Sequence, residues 1–206
     1  MRPSPLENRC APDGSLHAVA ARGTLMGNRG GRLHRADGTL GGARWRSRAW
    51  IACVLAFRGR RREVWGEGYS EIFFLDEATA LAAGHRPCFE CRREHARAFA
   101  AAWGRAEGAA PPRAPAMDRR LHAERTAPPE RLALAAVPPG AIVMASGGFF
   151  LRTAQGARAW GFAGYGPERE VDPAAVVAVV TPRAVRAALA AGYRPMLHPS
   201  AQLSAR

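Results

Sequence analysis

The sequence predicts an α+β protein built of small antiparallel sheets and short helices, in which one strand-helix unit is a candidate for duplication. Three observations point there. Apolar runs of five to eight residues, the length of strands, recur along the chain as WIACVLAF, EIFFL, GAIVMA and VVAVV. Between them, Ala-rich stretches with helical spacing open on Asp or Thr and stop on Gly. Finally, LAAGHRPC at residues 81–88 is echoed by LAAGYRPM at residues 189–196, each after an apolar strand and a short helix. Gly with Pro close behind is also a common helix stop, so chance agreement between two Ala-rich helices competes with duplication.

In chain order, residues 1–47 are rich in Gly and Arg and read mainly as loop or basic arm, with LHAVA as a short strand. RAWIACVLAF at 48–57 is apolar on both faces and reads as a buried strand running into the turn RGRRR. A second strand is expected at 69–75, and Asp76 then caps a short helix, DEATALAA, that stops at Gly84. CFECRREHARAFAAAW has helical spacing and places Phe89, Ala96, Phe99 and Trp103 along one side. GRAEGAAPPRAPA, at 104–116, is a linker candidate. It divides residues 1–106, the basic arm with the cysteine region, from a small α+β region at 117–206, with packing of the two as one domain the alternative. Past a short helix at 117–125, GAIVMA, FFLRT and ARAWGF read as an antiparallel sheet. VVAVV then leads into a helix capped by Thr181 with Pro182 at its first position.

No apolar run approaches the ~20 residues that cross a bilayer, and MRPSPLENRCAPDGSLHA lacks the apolar core of a secretory signal, so a cytoplasmic protein is expected. The net charge is +13, every basic side chain is Arg, and no Lys occurs. Ala, Gly, Pro and Arg richness is also what a GC-rich genome produces, so position says more than the total. Residues 22–62 hold eleven Arg and a single acid, Asp37. Charge this dense must be solvated or matched by phosphates or carboxylates, and the guanidinium fork suits phosphate.

Four cysteines in 206 residues are too few for a disulfide framework. Cys88 and Cys91, as Cys-x-x-Cys in GHRPCFECRR, have the spacing that brings two thiolates onto one zinc ion. The context, a strand and the helix DEATALAAG leading into GHRPCFEC, resembles the Ada-type metal-binding domain of bacterial alkylated-DNA repair proteins over about residues 72–93. The longer pattern RGTLMGNRGGRLH, WIAC and FFLDEATALAAGHRPC resembles that of an uncharacterised bacterial protein family. The Ada-type resemblance implies a zinc-stabilised fold with Cys88 and Cys91 as its second ligand pair. That family's first pair, spaced by three residues upstream of the strand, has no counterpart here. The upstream donors on offer are Cys53, His34, His17 and Cys10, of which Cys53 is the favoured third ligand and His34 the favoured fourth. Against this, Cys53 reads equally as a small core hydrophobe, His34 as a loop residue or phosphate contact, and His95 and His198 are rival donors. A thiol redox pair also uses Cys-x-x-Cys, but the strand, helix and Arg-Pro before it do not match a direct strand-to-helix entry.

Three functions follow as expectations. The leading one is a zinc protein that binds DNA or RNA through an Arg-rich surface comprising Asn28, Arg29, Arg32, Arg44, Arg46, Arg48, Arg60, Arg61 and Arg62, with Trp45, Trp50 and Phe57 interleaved. A second is an enzyme acting on a phosphorylated or nucleotide-like substrate through GNRGGRLH, although that segment lacks the Gly-Lys-Ser/Thr ending of a phosphate loop. The third is a zinc-stabilised scaffold whose basic region meets an acidic protein partner.

Overall fold

The computed structural model describes residues 3–60 and 63–202, and the α+β class holds: two six-stranded sheets and four α-helices. The first sheet contains β1 (Arg9–Cys10), β2 (Leu16–His17), β3 (Leu25–Asn28), β4 (Ile51–Val54), β5 (Ile72–Phe74) and β6 (Arg86–Pro87), in the order β2-β1-β5-β3-β4-β6. It is mixed. The pairs β1/β5 and β4/β6 are parallel, and the rest are antiparallel.

The stretch expected as a basic arm therefore supplies three strands, one of them central. Gly27 disguises β3, because glycine weakens a strand reading. It is required there: a Cβ at Gly27 would lie 2.2 Å from the Ile51 carbonyl oxygen and 2.8 Å from the Phe74 ring. The strand expected at 48–57 is cut to Ile51–Val54, and Leu55 beyond it is half exposed.

The second sheet is antiparallel throughout. It comprises β7 (Glu130–Ala133), β8 (Ile142–Ala145), β9 (Gly148–Arg152), β10 (Ala157–Gly161), β11 (Gly164–Arg169) and β12 (Val176–Val179), in the order β11-β10-β9-β8-β12-β7. The helices are α1 (Glu77–Ala82), α2 (Arg93–Glu107), α3 (Ala114–Arg125) and α4 (Arg183–Ala190). Asp76 caps α1 as its sequence suggests, accepting from the Thr79 N–H. Thr181 does not cap α4. Its hydroxyl instead accepts from the Ile142 N–H at 2.7 Å, tying β8 to the end of β12, and Pro182 takes the cap position.

Every residue of α1 is buried, because the helix is a wedge between the sheets. Ala80 and Ala83 pack into the core of the first sheet, while Ala78 and Ala82 pack with Ile142, Leu151 and Tyr165 of the second. A third cluster joins Leu81, Phe99 and Trp103 to Val143, Val179 and Leu189. Within the candidate linker, α2 runs to Glu107 and α3 starts at Ala114, and side chains of both helices join one apolar cluster.

The two acids at the head of α1 lock this junction. Asp76 Oδ2 accepts from the Tyr165 hydroxyl and the His198 N–H, both at 3.0 Å. Glu77 accepts from the Tyr193 hydroxyl at 2.5 Å, the Met196 N–H at 2.8 Å and the Arg92 guanidinium at 2.8 Å. Both carboxylates are fully buried and multiply hydrogen-bonded, which is the condition under which a buried charge is tolerated. No helix among the described residues is long and apolar enough to cross a membrane.

Candidate metal centre

Cys53 sits on β4, with the Met26–Cys53 pair on the β3 side. On the other side β4 runs parallel to β6 with Ala52 opposite Pro87, and the next peptide continues the ladder by a hydrogen bond from Cys88 N–H to the Ala52 carbonyl at 2.9 Å. That register sets Cys88 beside Cys53. Pro87 has no N–H and sits on β6, the edge strand; Cys88 makes the last bond of the ladder before the chain turns. The turn closes with Arg92 N–H on the Cys88 carbonyl at 3.1 Å and returns Cys91 to the same place before α2 begins.

The three sulfurs lie within 4.8 Å of one another. A tetrahedral zinc with Zn–S bonds of ~2.3 Å holds its sulfurs ~3.8 Å apart, so the cluster needs only a slight contraction to grip one. All four cysteines are free thiols. Cys88 is the thiol of the three whose ionisation is favoured. The Cys53 thiol and the Cys91 and Glu90 N–H groups hydrogen-bond to it and, against some burial, hold its pKa down to about 5. Cys53 is pushed up, by its hydrogen bond to Cys88 and by burial; Cys91 is pushed up, by burial first and by the charge on Cys88. Burial and the neighbouring sulfur oppose ionisation of Cys53 and Cys91, and a divalent ion would offset both. The donor set fits a thiophilic metal.

His34, expected as the fourth ligand, is not in the cluster. Its Nδ1 accepts from the Ser70 hydroxyl at 2.6 Å, its Nε2–H donates to the Gly66 carbonyl at 3.0 Å, and its ring stacks on Trp65 at 5.2 Å. Both nitrogens are used in holding a buried loop together. Among the described residues no other His, Cys, Asp or Glu atom joins the three sulfurs. His95 lies 3.9 Å from Glu77, and His198 is hydrogen-bonded to Ser200. Cys10 is buried with Arg29 against its sulfur, and burial raises its pKa to about 11.

The expected anion-binding residues divide into two groups. Arg32, Arg44, Arg46, Arg48 and Arg60 are exposed, Arg60 pairing with Glu90 at 2.7 Å beside the cysteines. Asn28 and Arg29 are buried: the Asn28 side chain accepts from Gly30 N–H in a turn, and Arg29 reaches the Gly14 carbonyl at 2.7 Å. Arg61 and Arg62 lie outside the described residues. Trp45 is exposed and Trp50 buried. Arg125 and Arg183, far along the chain, join Arg29 and Arg44 around one cleft, a grouping that local charge density could not reveal.

Comparison of the chain with protein-family models, with curated proteins and with solved structures yields no match.

Proposed function

We propose that this is a cytoplasmic zinc protein that binds nucleic acid, with Cys53, Cys88 and Cys91 holding the metal and exposed arginines holding the phosphates. The observation that carries the metal is the meeting of Cys53 with the Cys-x-x-Cys pair, three free thiols within 4.8 Å from segments 35 residues apart in sequence. A Cys-x-x-Cys turn alone supplies half a site; the strand register supplies the third donor. Zinc bound there would tie the β4/β6 edge to the start of α2, at the point where the ladder ends. Four reduced cysteines fit a reducing compartment.

The nucleic-acid part rests on the exposed arginines at 32, 44, 46, 48 and 60 and on Trp45, whose exposed ring can stack on a base. The local resemblance to the Ada-type domain of DNA repair proteins agrees with both parts. The test is titration of single- and double-stranded DNA and of RNA at several salt concentrations. Affinity that falls steeply with salt, and falls further in Arg44→Ala and Arg46→Ala, supports the reading. Binding of none of these polymers, or salt-insensitive binding, removes it.

A further inference from the structure

Where the first sheet meets the second, a cleft of about 750 Å³ opens between Trp50, the end of α3 and the start of α4. Its floor is unusual in charge. Trp50 is sandwiched between two guanidinium groups, Arg29 at 3.9 Å from the ring centroid on one side and Arg125 at 3.8 Å on the other. Neither is paired with a carboxylate among the described residues. Arg29 donates to the Gly14 carbonyl, Cys10 and His85; Arg125 donates to the Gly84 and Arg48 carbonyls at 3.0 and 2.9 Å. His85 adds no third positive charge, since burial first, then Arg29 and Arg125, disfavour its protonation.

The acids lining the cleft are already engaged: Glu124 accepts from Arg120 and the Ala184 N–H, Glu130 from Arg186, and Asp13 from Ser15. Arg44 and Arg183 at the rim are exposed and have no carboxylate partner among the described residues. Donors are also in surplus, because Trp50 Nε1 and Arg125 Nε are buried without an acceptor. Like charges this close, Arg29 buried and Arg125 half-buried, with spare donors beside them, cost stability unless an anion completes them.

We propose that this cleft binds a phosphate monoester carried on a nucleoside, the phosphate lying against Arg125 and the rim arginine Arg183, with Arg29 adding its charge from behind Trp50, and the ring against the apolar wall. A dianionic phosphate matches several guanidinium forks better than a single carboxylate does. The volume exceeds what inorganic phosphate fills and lies within the range of small-molecule sites. Trp45, Met144 and Phe149 offer the flat apolar surface for the ring, with Trp45 and Met144 each about two-fifths exposed. The choice of a nucleoside rests on the nucleic-acid reading above; the phosphate site does not, and neither depends on the metal. The monoester has two sources, a free nucleotide or the 5′ end of a strand.

Isothermal titration of the full chain with adenosine 5′-monophosphate, adenosine, and single-stranded oligonucleotides with and without a 5′-phosphate separates these. The expected result is one-to-one binding of the monophosphate and none of adenosine. Binding should fall at least tenfold in Arg125→Met and in Arg183→Ala and be unchanged in Arg169→Ala. Arg183 is exposed, so that variant reports on the site even if Arg125→Met fails to fold. A 5′-phosphate that tightens the oligonucleotide tenfold assigns the strand end as source; an oligonucleotide indifferent to it, beside a bound monophosphate, assigns the free nucleotide. If neither phosphate improves binding, the proposal is overturned, and salt-sensitive oligonucleotide binding in that case leaves the nucleic-acid reading standing. Monophosphate binding without any polymer binding upholds the cleft and removes that reading.

Discussion

At residues 81–88 and 189–196 the chain executes one helix stop twice and then uses it in opposite ways. In both, glycine takes the left-handed conformation, φ +78° at Gly84 and +100° at Gly192. Each donates its N–H to the carbonyl three residues back, Leu81 and Leu189, both at 3.0 Å. The next N–H reaches five back, His85 to Ala80 and Tyr193 to Ala188, both at 2.9 Å. After the first stop, Arg86 and Pro87 find the free edge of β4 and deliver Cys88 to Cys53. After the second, Arg194 and Pro195 form no strand; Met196 exchanges backbone-to-Glu77 contacts in both directions, at 2.8 and 3.1 Å. The turn is shared, but the sheets around it are not: the strand before the first stop has a parallel neighbour, the strand before the second has none. A turn sets where the chain goes next, and the neighbouring strand decides whether chemistry follows.

The largest test of this contrast lies where the second turn meets the first unit. Glu77→Ala leaves Arg92 buried and unpaired and removes the acceptor of Tyr193 and Met196. Chemical denaturation should show a loss of about 3–5 kcal/mol, with both halves unfolding together. A small loss would mean that the second turn is not an anchor.

Next comes metal removal. Chelation should raise amide hydrogen exchange at residues 53–54 and 86–92 and leave 188–196 protected. Equal deprotection of both turns would contradict their separate roles.

Replacing the two glycines sharpens the comparison further. Gly84→Ala and Gly192→Ala should each cost about 1–2 kcal/mol for the left-handed backbone. Only at Gly84 does the added Cβ also press on Arg125, 2.8 Å from its Cδ. Anion binding in the cleft should therefore weaken in Gly84→Ala and persist in Gly192→Ala, as titration with phosphate monoester would show.

The smallest effect is expected at the surface beside the cysteines. Arg60→Ala breaks an exposed ion pair with Glu90 and should change thermal stability by less than about 1 kcal/mol.

Local signals carried the sequence reading where they were strong. Asp76 as a cap, Gly84 as a stop and Ala96, Phe99 and Trp103 on one apolar side follow from local spacing, and the structure has them so; Phe89, expected on that side, lies in the turn before α2, which begins at Arg93. What escaped depends on partners distant in the chain. Residues 25–28 are a central strand although LMGN carries no strand pattern, because Gly27 is set by the closeness of Ile51 and Phe74. His34 is a sensible metal donor by type and position, yet Ser70 and Gly66 claim both of its nitrogens. Cys53 reads equally as core or ligand until the β4/β6 register sets it beside Cys88. Arg29 belongs to the dense Arg segment, but its counterpart Arg125 stands 96 residues away and is seen only across the Trp50 ring.

The central claim is that Cys53 completes the Cys-x-x-Cys pair as a metal centre. Metal content of the purified protein and of the Cys53→Ser, Cys88→Ser and His34→Ala variants tests it most directly. One zinc per chain, held with unchanged affinity in His34→Ala and weakened at least tenfold in both cysteine variants, is the predicted result. Full zinc content and affinity in Cys53→Ser, or no zinc in the unaltered protein after zinc-replete preparation, would contradict it.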